Sequence, residues 1–312
     1  MSPRILVLAD PLVEVMRKEL NQPLSRNADF VGPFPSGAGA IFIDAAARLG
    51  GSTGCIGVVG LDAFGECVVT RLREDNVDTA YVRQVPGYTT GIAFVAYNDD
   101  GSRNFLFHLP QSAAALLGPE DVRPEYIVTA DFLHITGSVL SISESARQAC
   151  YKAVKLIKKK GGRVSFDPNI RPELLGASCV REIVEPVLEF CDLLLPSSSE
   201  AAMLTGDVDE TAACHSLLAR GISIVALKRG SQGSVVFTPK QRIEVPSLSV
   251  TEIDPTGAGD CYGGAFVVGL LEGWDLPRIA RFANIAGALS VTRMGPMEGS
   301  PRRSEVMARM SS

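Results

Sequence analysis

Seven cysteines are scattered singly, at positions 55, 67, 150, 179, 191, 214 and 261, and no two form a Cys-x-x-Cys pair. With only three histidines, also isolated, the chain lacks zinc-ligand spacing. Lone cysteines of this kind suit a reducing compartment, where they behave as small hydrophobes. No stretch approaches the roughly 18 apolar residues that a membrane span needs. The opening "MSPRILVLADPL" has too short an apolar run for a secretory h-region, and Asp10 interrupts it. Also missing is the basic stripe of a nucleic-acid binder: net charge is −5, with acids and bases intermixed. The one basic run, Lys158-Lys159-Lys160, precedes Gly161-Gly162 and reads as a solvated helix end, where lysines suit the macrodipole. A soluble cytoplasmic protein without nucleic-acid or membrane partners is expected. There is no internal repeat or low-complexity segment.

The 312 residues, 46% of them hydrophobic, are enough for one large α/β domain or two small ones. Short apolar runs that read as buried strands (4–10, 53–60, 131–137, 163–169, 192–197, 223–230) alternate with helical patterns at 37–49, 62–76, 143–160 and near 178–190. That alternation means β-α-β units and a parallel sheet covered on both faces. Two segments break the rhythm. Residues 11–35 look irregular and carry prolines, and residues 88–109 alternate around Asp100-Gly101, a strong hairpin signal. A hairpin that interrupts a β-α series is expected to project from the sheet, as a lid would.

The stretch most suggestive of chemistry is "DPTGAGDCYGGAF" (254–266). In Gly257-Ala258-Gly259 the small residues let the backbone approach a ligand, and the following apolar run can hold a helix whose N-terminal N–H groups face an anion. It is neither the Walker A pattern nor the Rossmann glycine fingerprint. Asp260 at that helix start is favoured as the carboxylate. Both a plain N-terminal cap and a base beside a phosphate site account for it.

In its wider setting the stretch resembles the signature of the ribokinase-like (PfkB) carbohydrate kinases. The resemblance runs in order along nearly the whole chain: "SGAGAIFIDAAARLG" (36–50), "IGVVGLDAFG" (56–65), "DDGSRNFLF" (99–107), "DPNIRPELL" (167–175), "PSSSEAAMLTG" (196–206), "KRGSQGSVVF" (228–237) and "FANIAGALSVTRMG" (282–295). It implies a three-layer α/β/α fold with a mostly parallel central sheet, a single domain over 1–312, and a small β-sheet lid from about 11–35 and 88–109. It also implies transfer of the γ-phosphoryl group of ATP to a sugar hydroxyl with Mg²⁺, and K⁺ as a further candidate. Exposed lid strands commonly pair with a partner subunit, so a homodimer through the lid is expected.

Carried over residue by residue, the resemblance makes Asp260 the base, with the backbone N–H groups of Gly257, Ala258 and Gly259 holding the charge on the transferred phosphoryl. Asp10, at the end of the first strand, would accept hydrogen bonds from sugar hydroxyls, beside Gly37 and Gly39, Arg103, Asn169 and Arg171. A turn-starting role for Asp10, helix packing for the two glycines and solvation for Arg103 are the plain alternatives. Ser197, Lys228, Gly230, Gly233 and Asn284 would line the nucleotide path together with Gly257 and Gly259. Glu200 would organise Mg²⁺ through water, or else be an ordinary first-turn glutamate, and Asp254 would hold a monovalent cation.

Three departures bear on the substrate. Ile41 stands where the family usually has asparagine, and Ser197 replaces the asparagine usually paired with Glu200. Leu109 aligns with the arginine that reads the sugar acid in 2-keto-3-deoxygluconate kinases. Since a desolvated carboxylate needs a cation, a neutral ketose such as fructose or tagatose is expected over a sugar acid. A nucleoside is the third candidate, with Phe30, Phe34, Phe42 and Phe107 available for an aromatic pocket. From other classes, a nucleotide-binding oxidoreductase would need a glycine fingerprint after the first strand, which "LADPLVEV" does not offer. A non-catalytic sugar-binding protein would be expected to have lost the base or the glycines.

Overall fold

In the computed structural model, which describes residues 3–100, 102–169 and 180–311, thirteen strands form two sheets. They are β1 (Ile5–Leu8), β2 (Leu12–Arg17), β3 (Phe30–Ser36), β4 (Thr53–Gly60), β5 (Asp78–Val85), β6 (Gly91–Tyr97), β7 (Arg103–His108), β8 (Phe132–Thr136), β9 (Arg163–Asp167), β10 (Leu193–Leu194), β11 (Ile224–Lys228), β12 (Ser234–Phe237) and β13 (Arg242–Val245). The larger sheet has the order β13-β12-β11-β10-β9-β8-β1-β4-β5. It is parallel from β5 to β11, and β12 and β13 then add antiparallel. Both faces are buried, as parallel sheets require. Along β1, Ile5 and Val7 enter the core under helices Ala38–Arg48, Ala258–Leu271 and Leu276–Ser290. Leu6 and Leu8 enter the opposite core, under helices Glu144–Lys159 and Glu210–Ala219. The result is a three-layer α/β/α fold.

The smaller sheet, β3-β2-β6-β7, is built from the two segments that broke the sequence rhythm. The 88–109 hairpin is there as β6 and β7, paired antiparallel. Residues 11–35, read as irregular, instead supply β2 and β3. Pro33 and Pro35 hid β3 because a proline cannot donate to a ladder, yet an edge strand tolerates it. Between those strands the chain folds back around Arg17, whose guanidinium donates to the carbonyls of Pro23, Leu24, Arg26 and Ala28.

One ionic cluster ties the helices behind the site together. Arg71 pairs with Asp44 at 3.1 Å and donates to the Met297 carbonyl at 2.7 Å, while Arg48 pairs with Asp75 at 2.9 Å and donates to the Ser300 carbonyl at 2.8 Å. Burial pushes the Asp44 carboxyl up to about 7, against the pull of Arg71 and aided by its neighbour Asp75. A raised carboxyl pKa stabilises the fold at low pH, and that contribution is lost as pH rises through about 7. Asp44→Asn is therefore expected to gain Tm over the wild type as pH rises from about 4 to about 7, and to keep that gain at higher pH. The buried His134, pushed down to about 3, acts in the opposite sense, and the wild-type-minus-variant difference cancels it. Parallel Tm–pH curves for the two proteins would refute the assignment.

Candidate active site

Two adjoining cavities open at the C-terminal ends of the large sheet's strands, where open α/β sheets bind ligands. The first, about 160 Å³, is lined by Asp10, Glu14, Gly37, Ile41, Arg103, Leu109, Asp167, Asn169 and Asp260, among others. The second, about 400 Å³, includes Gly230, Gly233, Ser247, Tyr262, Asn284 and Gly287 in its wall. Lys228, Pro255 and Gly259 belong to both, so the cavities meet at the glycine turn.

Local chemistry shapes that turn. Gly257 caps the helix Ala258–Leu271 with φ 85°, and a Cβ there would lie 2.6 Å from the Pro296 carbonyl oxygen. Glycine is required at that position on both counts. Gly259 is different: it is helical, and a Cβ would meet only the end of Lys228, 3.1 Å from Nζ. Asp260 follows in the first turn, 8% exposed, at the wall of the smaller cavity. Gly257, Ala258 and Gly259, the start of this helix, line the cavities at their junction, where a helix N-terminus leaves N–H groups without intrahelical partners.

Electrostatics point to the same junction. Lys228 Nζ pairs with Asp167 Oδ2. Burial alone would lower the lysine, but the carboxylates of Asp167, Glu200 and Asp260 hold it above its ordinary range. Three acids around one ammonium leave negative charge in excess. Among the described residues no group of three His, Cys, Asp or Glu side chains is gathered closely enough to hold a metal ion. The excess of carboxylate charge around Lys228, which lines both cavities, fits Mg²⁺, which keeps several waters and takes one or two carboxylates together with nucleotide phosphates.

The remaining site residues divide cleanly. Asp10 is 2% exposed, and its Oδ1 accepts from the Gly39 N–H at 3.4 Å. Gly37 has φ 106°, and any Cβ there would collide with the Asp10 carbonyl, so the backbone runs flush against that residue. Gly39 lines neither cavity: its Cα packs on β1, where a Cβ would sit 3.0–3.1 Å from Ala9 and Val7. Asn169 lines the smaller cavity at φ 34°, and its buried Oδ1 has no hydrogen-bond partner among the described residues. Arg171 lies outside the described residues. Asn284 donates to the Val245 and Pro246 carbonyls, fixing one wall of the larger cavity. Ser197 and Glu200 line neither cavity and form the capping box of the helix Ser198–Thr205, with Ser197 N and Oγ donating to Glu200 Oε2 at 2.7 and 2.8 Å. Only the charge of Glu200 reaches Lys228. Asp254 is 1% exposed and already accepts three hydrogen bonds: Oδ1 from Tyr97 OH (2.6 Å) and Thr256 N (3.0 Å), Oδ2 from Gly295 N (2.9 Å).

Sequence reasoning passed over Glu14 and Asp167. Glu14 is an acid inside the apolar run "PLVEVM", 5% exposed, accepting from Ser36 Oγ at 2.6 Å in the cavity wall. Its placement in an apolar strand was the signal. Asp167 repeats the logic of Asp10, a carboxylate at a strand's C-terminal end. The aromatic pocket dissolves: Phe42 stacks on His134, Phe30 lies under Arg17, Phe34 sits against Gly295, and of the four only Phe107 faces the cavity, with Phe105.

A family model described as "pfkB family carbohydrate kinase" matches residues 7–303. A fructokinase of Escherichia coli is 32% identical, with 98% of this chain and 99% of that protein covered. A 2-dehydro-3-deoxygluconokinase of Thermoproteus tenax is 33% identical, covering 96% of this chain and 93% of its own length. A solved structure described as a ribokinase II from E. coli, in complex with ATP and Mg²⁺, superimposes with a TM-score of 0.94 at 38% identity, covering 100% of this chain and 99% of the other. No helix among the described residues is long and apolar enough to cross a membrane.

Proposed function

The chain belongs to the pfkB family of carbohydrate kinases, and on that premise we propose that it phosphorylates a small neutral ketose with ATP and Mg²⁺. One observation carries the reading: Asp260 lines the smaller cavity directly after Gly259, a residue of the glycine turn that lines both cavities. The acceptor occupies the smaller cavity and ATP the larger. Asp260 takes the proton of the attacking hydroxyl as its oxygen bonds to the γ-phosphorus. The bond from that phosphorus to the β-phosphate oxygen breaks, and ADP leaves. The N–H groups of Gly257, Ala258 and Gly259, with Lys228, stabilise the charge on the moving phosphoryl group. Asp167, with the charge of Glu200 behind it, would orient the water shell of Mg²⁺, which would neutralise charge on the nucleotide phosphates. Asp10, Glu14 and Asn169 receive the sugar hydroxyls.

Charge supports a neutral acceptor. Asp10, Glu14, Asp167 and Asp260 all line the smaller cavity, against Arg103 at its rim and a Lys228 already paired. Ile41 and Leu109 add apolar wall where a carboxylate would need a cation. A missing charge-assisted hydrogen bond costs roughly 1.5–3 kcal/mol, more than tenfold in affinity. The kcat/KM for fructose or tagatose is expected to exceed that for 2-keto-3-deoxygluconate by about tenfold or more under identical ATP and Mg²⁺. Tenfold preference for the acid would overturn the choice and give Arg103 or Arg171 the role denied to position 109. Running the panel in potassium and in choline buffers tests the monovalent cation. With Asp254 engaged by three donors, such an ion would rest mainly on backbone carbonyls. The edge strands of the small sheet offer a dimer surface, which the mass in solution checks.

A further inference from the structure

The small sheet does more than roof the acceptor cavity. Tyr97, at the end of β6, reaches across to the glycine turn, where its hydroxyl lies 2.6 Å from Asp254 Oδ1 and 2.5 Å from Thr256 Oγ1. Its backbone carbonyl is held by Asn21 N–H at 2.9 Å, so the folded-back segment after β2 fixes the tyrosine in register. A second contact is independent of the first. From β3, Phe34 packs against Gly295, whose N–H donates to Asp254 Oδ2. Both oxygens of Asp254 are thus governed by residues the small sheet carries or touches, and Asp254 in turn holds the Thr256 N–H, one residue before the cap Gly257.

We propose that Tyr97 is a positioning residue for phosphoryl transfer: through Asp254 and Thr256 it docks the small sheet onto the glycine turn and holds the N–H groups of 257–259 in line with the cavity junction. The physical basis is asymmetry. The turn has a left-handed φ at Gly257 and a short polar connection before it, so its N–H directions depend on what fixes residues 254–256. A buried carboxylate accepting a phenol proton is a strong, directional tie. Burial, seconded by Asp254, raises the Tyr97 hydroxyl far above its ordinary value, so it stays a donor at any working pH. The consequence is coupling: displacement of the small sheet, as when the acceptor leaves, slackens the phosphate-binding turn.

The inference rests on the kinase reading, and one variant tests the two separately. Tyr97→Phe keeps the ring and deletes the tie. Tyr88→Phe, an exposed tyrosine beside the same sheet, is the control and is expected to match wild type. In Tyr97→Phe, hydrogen exchange at the amides of 256–260 is expected to accelerate at least about fivefold while the β1 and β8 amides stay protected. With the best sugar, kcat is expected to fall about 10- to 100-fold with KM for ATP nearly unchanged, as misplacement in the transition state predicts. Unchanged exchange at 256–260 overturns the proposal whatever the kinetics. Faster exchange with kcat intact overturns it too, because the turn would then not need the tie. A wild-type protein that phosphorylates no sugar sinks the kinase reading alone, and the exchange measurement still decides the docking.

Discussion

Asp260→Asn is expected to fold as the wild type does and to lose about 10²- to 10⁴-fold in kcat, the usual cost of removing a general base. The side chains are isosteric and Asp260 is only 8% exposed, so the first turn of the helix Ala258–Leu271 keeps its packing. The amide cannot take the proton of the attacking hydroxyl. ATP affinity is expected to hold or to tighten slightly, since the nucleotide cavity is untouched and one negative charge near Lys228 is gone. That split between kcat and nucleotide binding separates a base from a residue that merely shapes the turn. A variant keeping more than about a third of wild-type kcat would remove Asp260 from the chemistry.

Gly257→Val is expected to be nearly as damaging, for a different reason. At φ 85° a β-branched residue costs at least about 1–2 kcal/mol in backbone strain. Its Cβ would also press on the Pro296 carbonyl oxygen, a backbone atom that cannot turn aside as a side chain can. The turn must move, and with it the N–H groups that hold the phosphoryl charge. Loss of such donors costs about 10²- to 10³-fold in kcat each. Gly259→Ala is the contrast. It needs no unusual φ and meets only Lys228 Nζ, so it should keep the fold and mainly disturb nucleotide contact. Equal thermal stability and activity in the two variants would show that the turn does not carry the backbone strain assigned to it.

The contrast between those glycines marks a limit of reading from sequence. Gly257 and Gly259 look equivalent in the string, and strain at either is a fair expectation. Only the backbone path shows that the first is left-handed against a carbonyl while the second is helical beside a lysine. Gly37 and Gly39 diverge in the same way, one flush with Asp10 in the cavity wall and the other packed on β1. Glu200 and Ser197 read as nucleotide-side residues, yet their side chains are engaged with each other in a capping box, a pattern that Ser-x-x-Glu also signals.

What the sequence determined by itself was local: strands buried on both faces, helices between them, a hairpin within 88–109, and a glycine turn ending in Asp260. Each of these follows from periodicity or residue type within a dozen positions, which a linear string preserves. Assembly was decided in three dimensions. Lys228 finds Asp167 across 61 residues, and Tyr97 finds Asp254 across 157. Which acids surround the junction, and which tyrosine steadies the turn, depend on the order in which strands pair and on where a two-proline edge strand comes to lie. Such contacts leave no local signature, because the free energy that selects them comes from burial and pairing over the whole sheet.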